Sequence, residues 1–179
     1  MMMELEEIRV EYRLVDCRCA NPEDIKDVIA EFETNGEFCN ALWRAYEIGV
    51  DQWLVELETD SHEFVLAFYV GTELVGVARV TPKPNHEANG NVGYYIRPSC
   101  RGMRYGHVLL HMIVDFCKAN NVQDVFAVTS VKNVASMKTL ASAGWAPTGR
   151  AFKWKSKYGT RNAIEYSPES MTSACQKMR

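Results

Sequence analysis

Two glycines and two arginines lie close together in a short segment, Ser99–Gly106, between a predicted strand and a predicted helix. Gly102 and Gly106 allow the backbone to turn tightly and to approach a ligand without an intervening Cβ. The first amides of a helix have no acceptor within it, and they point together with the positive end of the helix dipole. Arg101 and Arg104 would add cationic donors. The segment could bind a diphosphate, or it could be an ordinary strand-to-helix turn.

The spacing of the glycines excludes the two common nucleotide-binding loops. A Walker loop has the sequence G-x-x-x-x-G-K-[S/T], whereas Gly102 and Gly106 are too close together and no lysine follows them. The dinucleotide fingerprint G-x-G-x-x-G is absent. A diphosphate bound here must therefore be held by a different kind of loop.

The strand and the loop together resemble the coenzyme A segment of the GNAT superfamily of acetyl-CoA-dependent N-acyltransferases. That family's signature is [Q/R]-x-x-G-x-[G/A] after a strand that ends in V/I-x-P, and residues 93–110 read GYYIRPSCRGMRYGHVLL. Arg101 and Gly106 match the ends of the signature, and Ile96 and Pro98 match the end of the strand. Arg104 replaces the central glycine, which the loop can accommodate if the backbone dihedrals of Arg104 are ordinary.

A second match follows at the expected distance along the chain. Residues 133–145, NVASMKTLASAGW, resemble the family's N-x-x-[A/S]-x-x-x-x-x-x-x-G-[F/W] stretch. The predicted hairpin at residues 64–80 falls where the family has its second and third strands. The resemblance implies one α/β domain with the GNAT-type acyl-CoA N-acyltransferase fold, in which helices flank both faces of a central mixed sheet.

The resemblance also implies how acetyl-CoA, the co-substrate, would bind. The strand before the loop separates from its neighbour, and its backbone groups pair with the pantetheine arm in the gap between the two strands. The amides of the loop hold the pyrophosphate. Asn133, which would also cap the next helix, bonds the coenzyme near the thioester. The predicted coenzyme contacts are Tyr95, Ile96, Arg97, Arg101, Gly102, Met103, Arg104, Tyr105, Gly106, Asn133 and Ser136.

The catalytic groups are less well defined than the coenzyme contacts. Many family members have a tyrosine seven residues after this asparagine that protonates the departing thiolate, but Leu140 occupies that position here. Ser136 or solvent could supply the proton, because a thiol with a pKa of about 8.5 is a tolerable leaving group. Candidates for the base that deprotonates the amine are Tyr94, Tyr95, His86 and Glu87. Ser136 and Tyr94 are the predicted catalytic residues.

The predicted reaction is acetyl transfer to a primary amine, directly and in a ternary complex. Cys100 adjoins the loop, but no His/Asp pair accompanies it that would activate a covalent nucleophile. The acceptor could be a small-molecule amine, a polyamine, an amino acid or a peptide amine at a protein N-terminus. Four acidic residues could attract a cationic amine or be solvated surface, namely Glu56, Glu58, Asp60 and Glu63.

Two other functions fit the same sequence. The substitutions at Arg104 and Leu140 are consistent with a GNAT-like module that binds coenzyme A as a sensor or scaffold without chemistry. The chain could also be an interaction domain that binds no coenzyme. The long terminal hairpin, residues 152–166, could join the sheet of a second copy in a homodimer.

The elements that position these residues follow from hydrophobic periodicity and turn residues. Their predicted order is β-α-α-β-β-β-α-β-α-β-β, and no internal repeat interrupts it. Strands are predicted at 8–15, 64–70, 74–80, 91–97 and 125–128. Helices are predicted from Pro22 to near Gly36, at 38–48, from near Tyr105 to Asn120 and at 134–143, with a helix or ordered loop at 51–62. A hairpin at 145–167 turns at Tyr158-Gly159, and a loose tail follows Pro168.

Composition bounds the function less tightly than these motifs do. The chain has 179 residues, 47% of them hydrophobic and 24% charged, which suits one soluble domain. We divide it into an N-terminal acceptor side at 8–63, a coenzyme-binding core at 64–146, the terminal hairpin and a tail at 168–179. The formal net charge of −3 gives no basic footprint for nucleic acid. No apolar run reaches the roughly 20 residues that span a membrane.

Six cysteines are present, and we expect them to be reduced thiols in the cytoplasm. The N-terminus is acidic, unlike a secretory leader. Cys17 and Cys19 lack the two-residue gap of a zinc knuckle and have no partner Cys/His pair, so no metal is predicted.

Overall fold

Strands form where β-branched and aromatic residues cluster, and helices form where apolar residues recur every three to four positions. The computed structural model describes residues 10–35, 40–59, 63–82, 91–156 and 159–172. The strands are β1 (Tyr12–Asp16), β2 (Phe64–Val70), β3 (Glu73–Val80), β4 (Val92–Ile96), β5 (Ala127–Ser130), β6 (Trp145–Ser156) and β7 (Gly159–Pro168). The helices are α1 (Pro22–Asn35), α2 (Trp43–Ile48), α3 (Val50–Thr59), α4 (Tyr105–Ala119), α5 (Val134–Ser142) and α6 (Glu169–Thr172).

The predicted order of elements is confirmed from β1 to β7 with one addition: of the two alternatives for residues 51–62, a helix or an ordered loop, the structure has the helix, over Val50–Thr59. A further short helix, α6, follows β7. Single-turn 3₁₀ helices occur at Cys17–Cys19, Asn40–Leu42 and Pro98–Cys100. Gly144 and Asn121 follow α5 and α4 with positive φ angles of 75° and 55°, as expected of helix stops. No helix in the described ranges is long and apolar enough to cross a membrane.

Several boundaries differ from the prediction. The first strand begins at Tyr12, so residues 10–11 lie outside it, and residues 8–9 are not among those described. Residues 169–172 of the predicted loose tail form a short helix, because the amide of Glu169 donates to the carbonyl of Gly144 (3.0 Å) and Met171 packs against the core. The helix predicted at 38–48 is a 3₁₀ turn followed by α2, and residues 36–39 lie outside the described part. The predicted turn residue Tyr158 also lies outside it.

The fifth strand starts two residues later than predicted because the side chain of Asn91 holds the preceding segment. The amide of Phe126 donates to Asn91 Oδ1, and Asn91 Nδ2 donates to the carbonyl of Asp124 (3.1 Å). Asp124 has a φ of 51°, which breaks the extended conformation. Asn91 is 2% exposed, so these bonds satisfy a buried amide.

The strands form two antiparallel sheets, in the orders β1-β2-β3-β4 and β5-β7-β6. They meet at one point, where the amides of Asn91 and Val92 donate to the carbonyl of Phe126 (3.2 and 2.9 Å). β4 and β5 both begin there, and no ladder joins them along the rest of their described length. The predicted α/β fold class is confirmed, with its sheet divided by a gap between β4 and β5.

Helices cover both faces of the first sheet, as predicted. Helices α1, α2 and α3 pack on one face, over Val65, Ala67 and Val77. Helices α4 and α5 pack on the other face, over Leu66, Phe68 and Ala78. Since successive side chains of a strand point to opposite faces, β4 contributes Tyr95 to the α1 side and Tyr94 and Ile96 to the α4 side.

Glycine at position 76 allows β3 and β4 to approach closely. A Cβ at Gly76 would lie 2.5 Å from the carbonyl oxygen of Tyr95 and 2.8 Å from Cδ1 of Ile96. The backbone of β4 would have to move to relieve the first contact. Gly93, in β4 itself, has no heavy atom within 4 Å of such a Cβ.

We therefore predict that Gly76→Ala destabilises the fold by about 1–3 kcal/mol, the usual cost of overpacking. Gly93→Ala is the matched control and should change the free energy of unfolding by less than about 0.5 kcal/mol. Urea denaturation followed by circular dichroism measures both. Equal stability of the two variants would contradict the close approach of β3 and β4.

Candidate active site

The gap between β4 and β5 is lined by backbone groups that the first sheet does not use. The amide of Arg97 donates to the carbonyl of Val75 (3.0 Å). In this register, the backbone amides and carbonyls of the odd-numbered residues of β4 face β3. Because such bonding alternates along an antiparallel strand, the backbone groups of Tyr94 and Ile96 face the gap. Nε of Arg101 donates to the carbonyl of Ile96 (3.1 Å). Tyr95, Ile96 and Arg97 were predicted to pair with pantetheine through their backbone. The backbone groups of Ile96 face the gap, whereas those of Tyr95 and Arg97 face β3.

The side chains of Tyr95 and Arg97 attach β4 to α1. Nε and Nη2 of Arg97 donate to Oε1 of Glu31 (2.8 and 2.6 Å), and Nη1 donates to the carbonyl of Leu74 (3.1 Å). The Glu31 carboxylate raises the pKa of Arg97. The Tyr95 ring packs edge-to-face on Phe32, with centroids 5.1 Å apart. These two side chains therefore position the strand and lie on the face away from α4.

The loop before α4 contains two residues with left-handed backbone. Gly102 has a φ of 81°, and Arg104, immediately before the helix, has φ 63° and ψ 12°. The condition of ordinary dihedrals for Arg104 is not met, because the loop keeps the geometry that a glycine would adopt. A left-handed non-glycine residue costs roughly 1–2 kcal/mol.

Five consecutive amides in this loop have no acceptor among the described residues, those of Gly102 through Gly106. The amides of His107 and Val108, by contrast, donate to the carbonyl of Arg104 (3.0 and 3.2 Å). Amides in a turn with left-handed residues converge on a concave anion site, and the dipole of α4 adds positive potential. The donor set fits a diphosphate.

Side chains of the same loop have separate roles. Met103 is 58% exposed, while Tyr105 packs against Phe68 and Tyr12 with ring centroids 6.4 and 6.5 Å away. A Cβ at Gly106 would lie 2.9 Å from Cγ2 of Thr139, so this glycine also allows α4 to approach α5. Burial, followed by the charges of His111 and Arg104, lowers the pKa of His107.

Tyr94 and Ser136, the two predicted catalytic residues, are in contact. Oη of Tyr94 lies 3.0 Å from Oγ of Ser136 and donates to the carbonyl of Ser136 (3.4 Å). Burial raises the pKa of Tyr94, and hydrogen bonds with Ser136 and Thr139 only partly offset this. Tyr94 therefore stays protonated at neutral pH, which suits an acid better than the base that the sequence suggested.

Asn133 caps α5, since its Oδ1 accepts from the amide of Ser136 (3.1 Å). Leu140, which occupies the position of the family's tyrosine, is fully buried and contributes only to the core. Cys100 is 4% exposed, and burial raises its pKa, which keeps the thiol protonated and weakly nucleophilic.

Two members of the acidic patch predicted on the N-terminal side, Glu56 and Glu63, are paired with arginines. Both oxygens of Glu56 accept from Arg44 (2.9 Å each), and Glu63 lies 3.9 Å from Arg79. The hydrogen bond with Asp16 is the main cause that raises the pKa of Arg18, and the charge of Glu58 contributes least; Arg18 follows β1 at the far edge of the sheet. Asp60, His86 and Glu87 lie outside the described residues. Within the described ranges, no three His, Cys, Asp or Glu side chains form a group that could hold a metal ion.

The comparisons with known proteins agree with this geometry. The model of the acetyltransferase (GNAT) family matches residues 26–145. No curated protein matches the chain in sequence. Among solved structures, spermidine N-acetyltransferase from Vibrio cholerae in complex with CoA and spermine has a TM-score of 0.67 at 12% identity, over 89% of this chain and 96% of that one.

Two further solved structures are similar. N-acetyltransferase PseH from Campylobacter jejuni in complex with acetyl coenzyme A has a TM-score of 0.57 at 15% identity, over 89% of this chain and 99% of that one. Ribosomal-protein-S5-alanine acetyltransferase from Vibrio fischeri has a TM-score of 0.61 at 18% identity, over 93% and 97% of the two chains. At such low identities, the TM-scores show a common fold and no more. The family match covers most of the chain, and with the divided sheet and the amide-lined loop it shows that this protein belongs to the GNAT family of acetyltransferases.

Proposed function

We propose that this protein transfers the acetyl group of acetyl-CoA to a primary amine by direct attack within a ternary complex. The observation that carries the proposal is the row of five amides for which the described residues supply no acceptor, at the end of a gap between two strands. Similar structures with coenzyme A, or with acetyl coenzyme A, support the choice of co-substrate. A cytoplasmic location and a homodimer remain predictions.

Each part of the site would bind one part of the co-substrate. The amides of residues 102–106 would hold the pyrophosphate, and the backbone groups of Tyr94 and Ile96 would pair with the pantetheine arm. Arg101 already donates to the carbonyl of Ile96, so pantetheine must share or displace that bond. A strand amide beside the thioester would stabilise the oxyanion that develops on its carbonyl.

Proton transfer would use the contact between Tyr94 and Ser136. When bound, acetyl-CoA supplies an activated acyl group on a thiol leaving group. Ser136 would donate its hydroxyl proton to the departing sulfur, and Tyr94 would replace that proton through their 3.0 Å contact. Solvent would then reprotonate Tyr94 and take the proton that the amine loses.

A second function has one structural argument in its favour. Leu140, which is fully buried, occupies the position where many family members have the tyrosine acid. The lack of an acid at that position is consistent with a module that binds coenzyme A without chemistry. That module and the proposed enzyme share the binding site and differ only in turnover.

Binding and turnover can be tested separately. Acetyl-CoA at millimolar concentration should raise the melting temperature, because a ligand of the native state stabilises it. A panel of amines should then release coenzyme A above the hydrolysis blank, as measured with a thiol reagent. A melting shift without release from any amine would favour the binding module. Absence of both would contradict the proposed function.

We predict that Tyr94→Phe and Ser136→Ala each lower kcat, by about tenfold or more if proton donation limits the rate. KM for acetyl-CoA should change less than about twofold, since neither hydroxyl is assigned to ground-state binding. Because the two hydroxyls act in series, the double variant should lose no more than the larger single loss. Tyr12→Phe, on the edge strand, is the matched control. Multiplicative losses in the double variant would contradict the relay.

We predict that Arg104→Gly is more stable than Arg104→Ala by about 1 kcal/mol, because both remove the guanidinium but only glycine relieves the left-handed backbone. Denaturant unfolding of the ligand-free variants measures this difference. Both should bind acetyl-CoA with similar affinity, since the amides that hold the pyrophosphate are retained. A more stable alanine variant would contradict the backbone conformation at residue 104.

A further inference from the structure

An open space lies over Gly93, on the α1 side of the first sheet. Val92, the preceding residue of β4, packs in the core on the α4 side, so Gly93 faces the α1 side. No heavy atom of the described residues lies within 4 Å of the position that a Cβ at Gly93 would occupy. By contrast, the Cβ position of Gly76 on the neighbouring strand lies 2.5 Å from a backbone atom of β4. Gly93 therefore leaves room where another residue would place a side chain.

The space over Gly93 adjoins the gap between the two sheets. β4 and β5 are joined at Val92 and Phe126 and separate beyond them, so Gly93 is the first residue of β4 after the junction. Across the gap, Val128 of β5 lies on the corresponding side, because its neighbour Ala127 packs in the core on the α4 side. Gly93 and Val128 are both only partly buried. The gap is thus open to the α1 side close to the junction.

The charged side chains that flank this space are paired on the sides away from it. Arg79 is directly opposite Gly93 on β3, but its Nη1 lies 3.9 Å from Oε2 of Glu63, which precedes β2 on the far side of β3. On β7, beyond β5, Glu165 accepts from Nη1 of Arg150 on β6, the strand on the far side of β7 (3.3 Å). In the described part of the chain, neither ion pair extends over β4.

The α4 side of the gap, by contrast, is filled. Tyr94 and Ile96 pack there, and the Tyr94 hydroxyl lies 3.0 Å from Oγ of Ser136 on α5. Under the proposed function, the sulfur of acetyl-CoA lies beside these two hydroxyls. A strand rises about 3.4 Å per residue, so a thioester beside Tyr94 is within reach of a group over Gly93. The amine must approach the thioester carbonyl closely and in line, and the α1 side is the one that leaves room for it.

We infer that the amine reaches the thioester from the α1 side across Gly93, and that the small size of residue 93 determines which amines fit. This inference rests on the proposed function and adds a specificity-determining residue to it. A side chain at position 93 would occupy the space through which the nitrogen and its first carbon atom pass. The coenzyme would be affected less, because its pyrophosphate and pantetheine are assigned to backbone groups.

The test adds bulk at residue 93. Gly93→Val adds three carbon atoms and suits a strand, and Ala151→Leu adds as many at an exposed position of β6, which makes it the matched control. The amines are ethanolamine, glycinamide and spermidine. For the best of them, we expect Gly93→Val to lower kcat/KM by at least about tenfold, Gly93→Ala to lower it less and Ala151→Leu to leave it unchanged. KM for acetyl-CoA should stay within about twofold of wild type in all three variants.

A second comparison varies the size of the amine. Alaninol differs from ethanolamine, and alaninamide from glycinamide, by one methyl group on the carbon that bears the nitrogen. Because that methyl group needs the same space as a side chain at residue 93, Gly93→Ala should lower kcat/KM at least about fivefold more for the branched member of a pair. An equal loss for both members would contradict a role of residue 93 in specificity.

Two further results would overturn the inference. Undiminished transfer by Gly93→Val would show that the amine does not cross residue 93, and a raised KM for acetyl-CoA in that variant would assign the space to the coenzyme. Should Gly93→Val not fold, the same two measurements on Gly93→Ala decide. These results leave the proposed function intact, because the wild-type protein still releases coenzyme A. No release by the wild-type protein with any amine contradicts the proposed function itself and, with it, the inference.

Discussion

The site depends on the fact that the two sheets are joined at one end only. The carbonyl of Phe126 accepts from both Asn91 and Val92, and the Asn91 side chain bonds both Phe126 and Asp124. These bonds hold the starts of β4 and β5 together, while no ladder between described residues joins the rest of the two strands. β3 and β7 bond the backbone groups on the outer edges of β4 and β5. The backbone groups on the inner edge of β4 are therefore available to an extended ligand.

β4 combines two functions because its side chains and backbone groups alternate. Tyr95 and Arg97 attach the strand to α1, and their backbone groups pair with β3, which fixes its position. Tyr94 and Ile96 lie on the other face and turn their backbone groups to the gap. The same alternation brings the Tyr94 hydroxyl to Ser136 on α5. Residues that face the gap, one of which is also the proton donor, therefore alternate along the strand with residues that hold the strand in position.

Much of the fold was predictable because it is encoded locally. The apolar periodicity of α4, the stop at Gly144 and the Asn133 cap each depend on residues within a turn or two, and all three predictions are confirmed. The sequence did not predict the contact between Tyr94 and Ser136, or the ion pairs of Glu56 and Glu63, because each depends on how two separate elements pack against each other. The left-handed conformation of Arg104 was also missed, since arginine rarely adopts it and only the loop geometry requires it. The late start of β5 was missed because it depends on the buried side chain of Asn91, which precedes β4 and is distant in the chain.

Amide hydrogen exchange tests the central claim most directly, because it observes the backbone groups that the account assigns to the co-substrate. In the free protein, the amides of residues 102–106 lack acceptors among the described residues and should exchange rapidly. Saturating acetyl-CoA should protect these amides together with those of Tyr94 and Ile96, and should leave Arg97, which is already bonded to Val75, unchanged. Protection confined to other segments, with residues 102–106 still exchanging freely, would contradict the account.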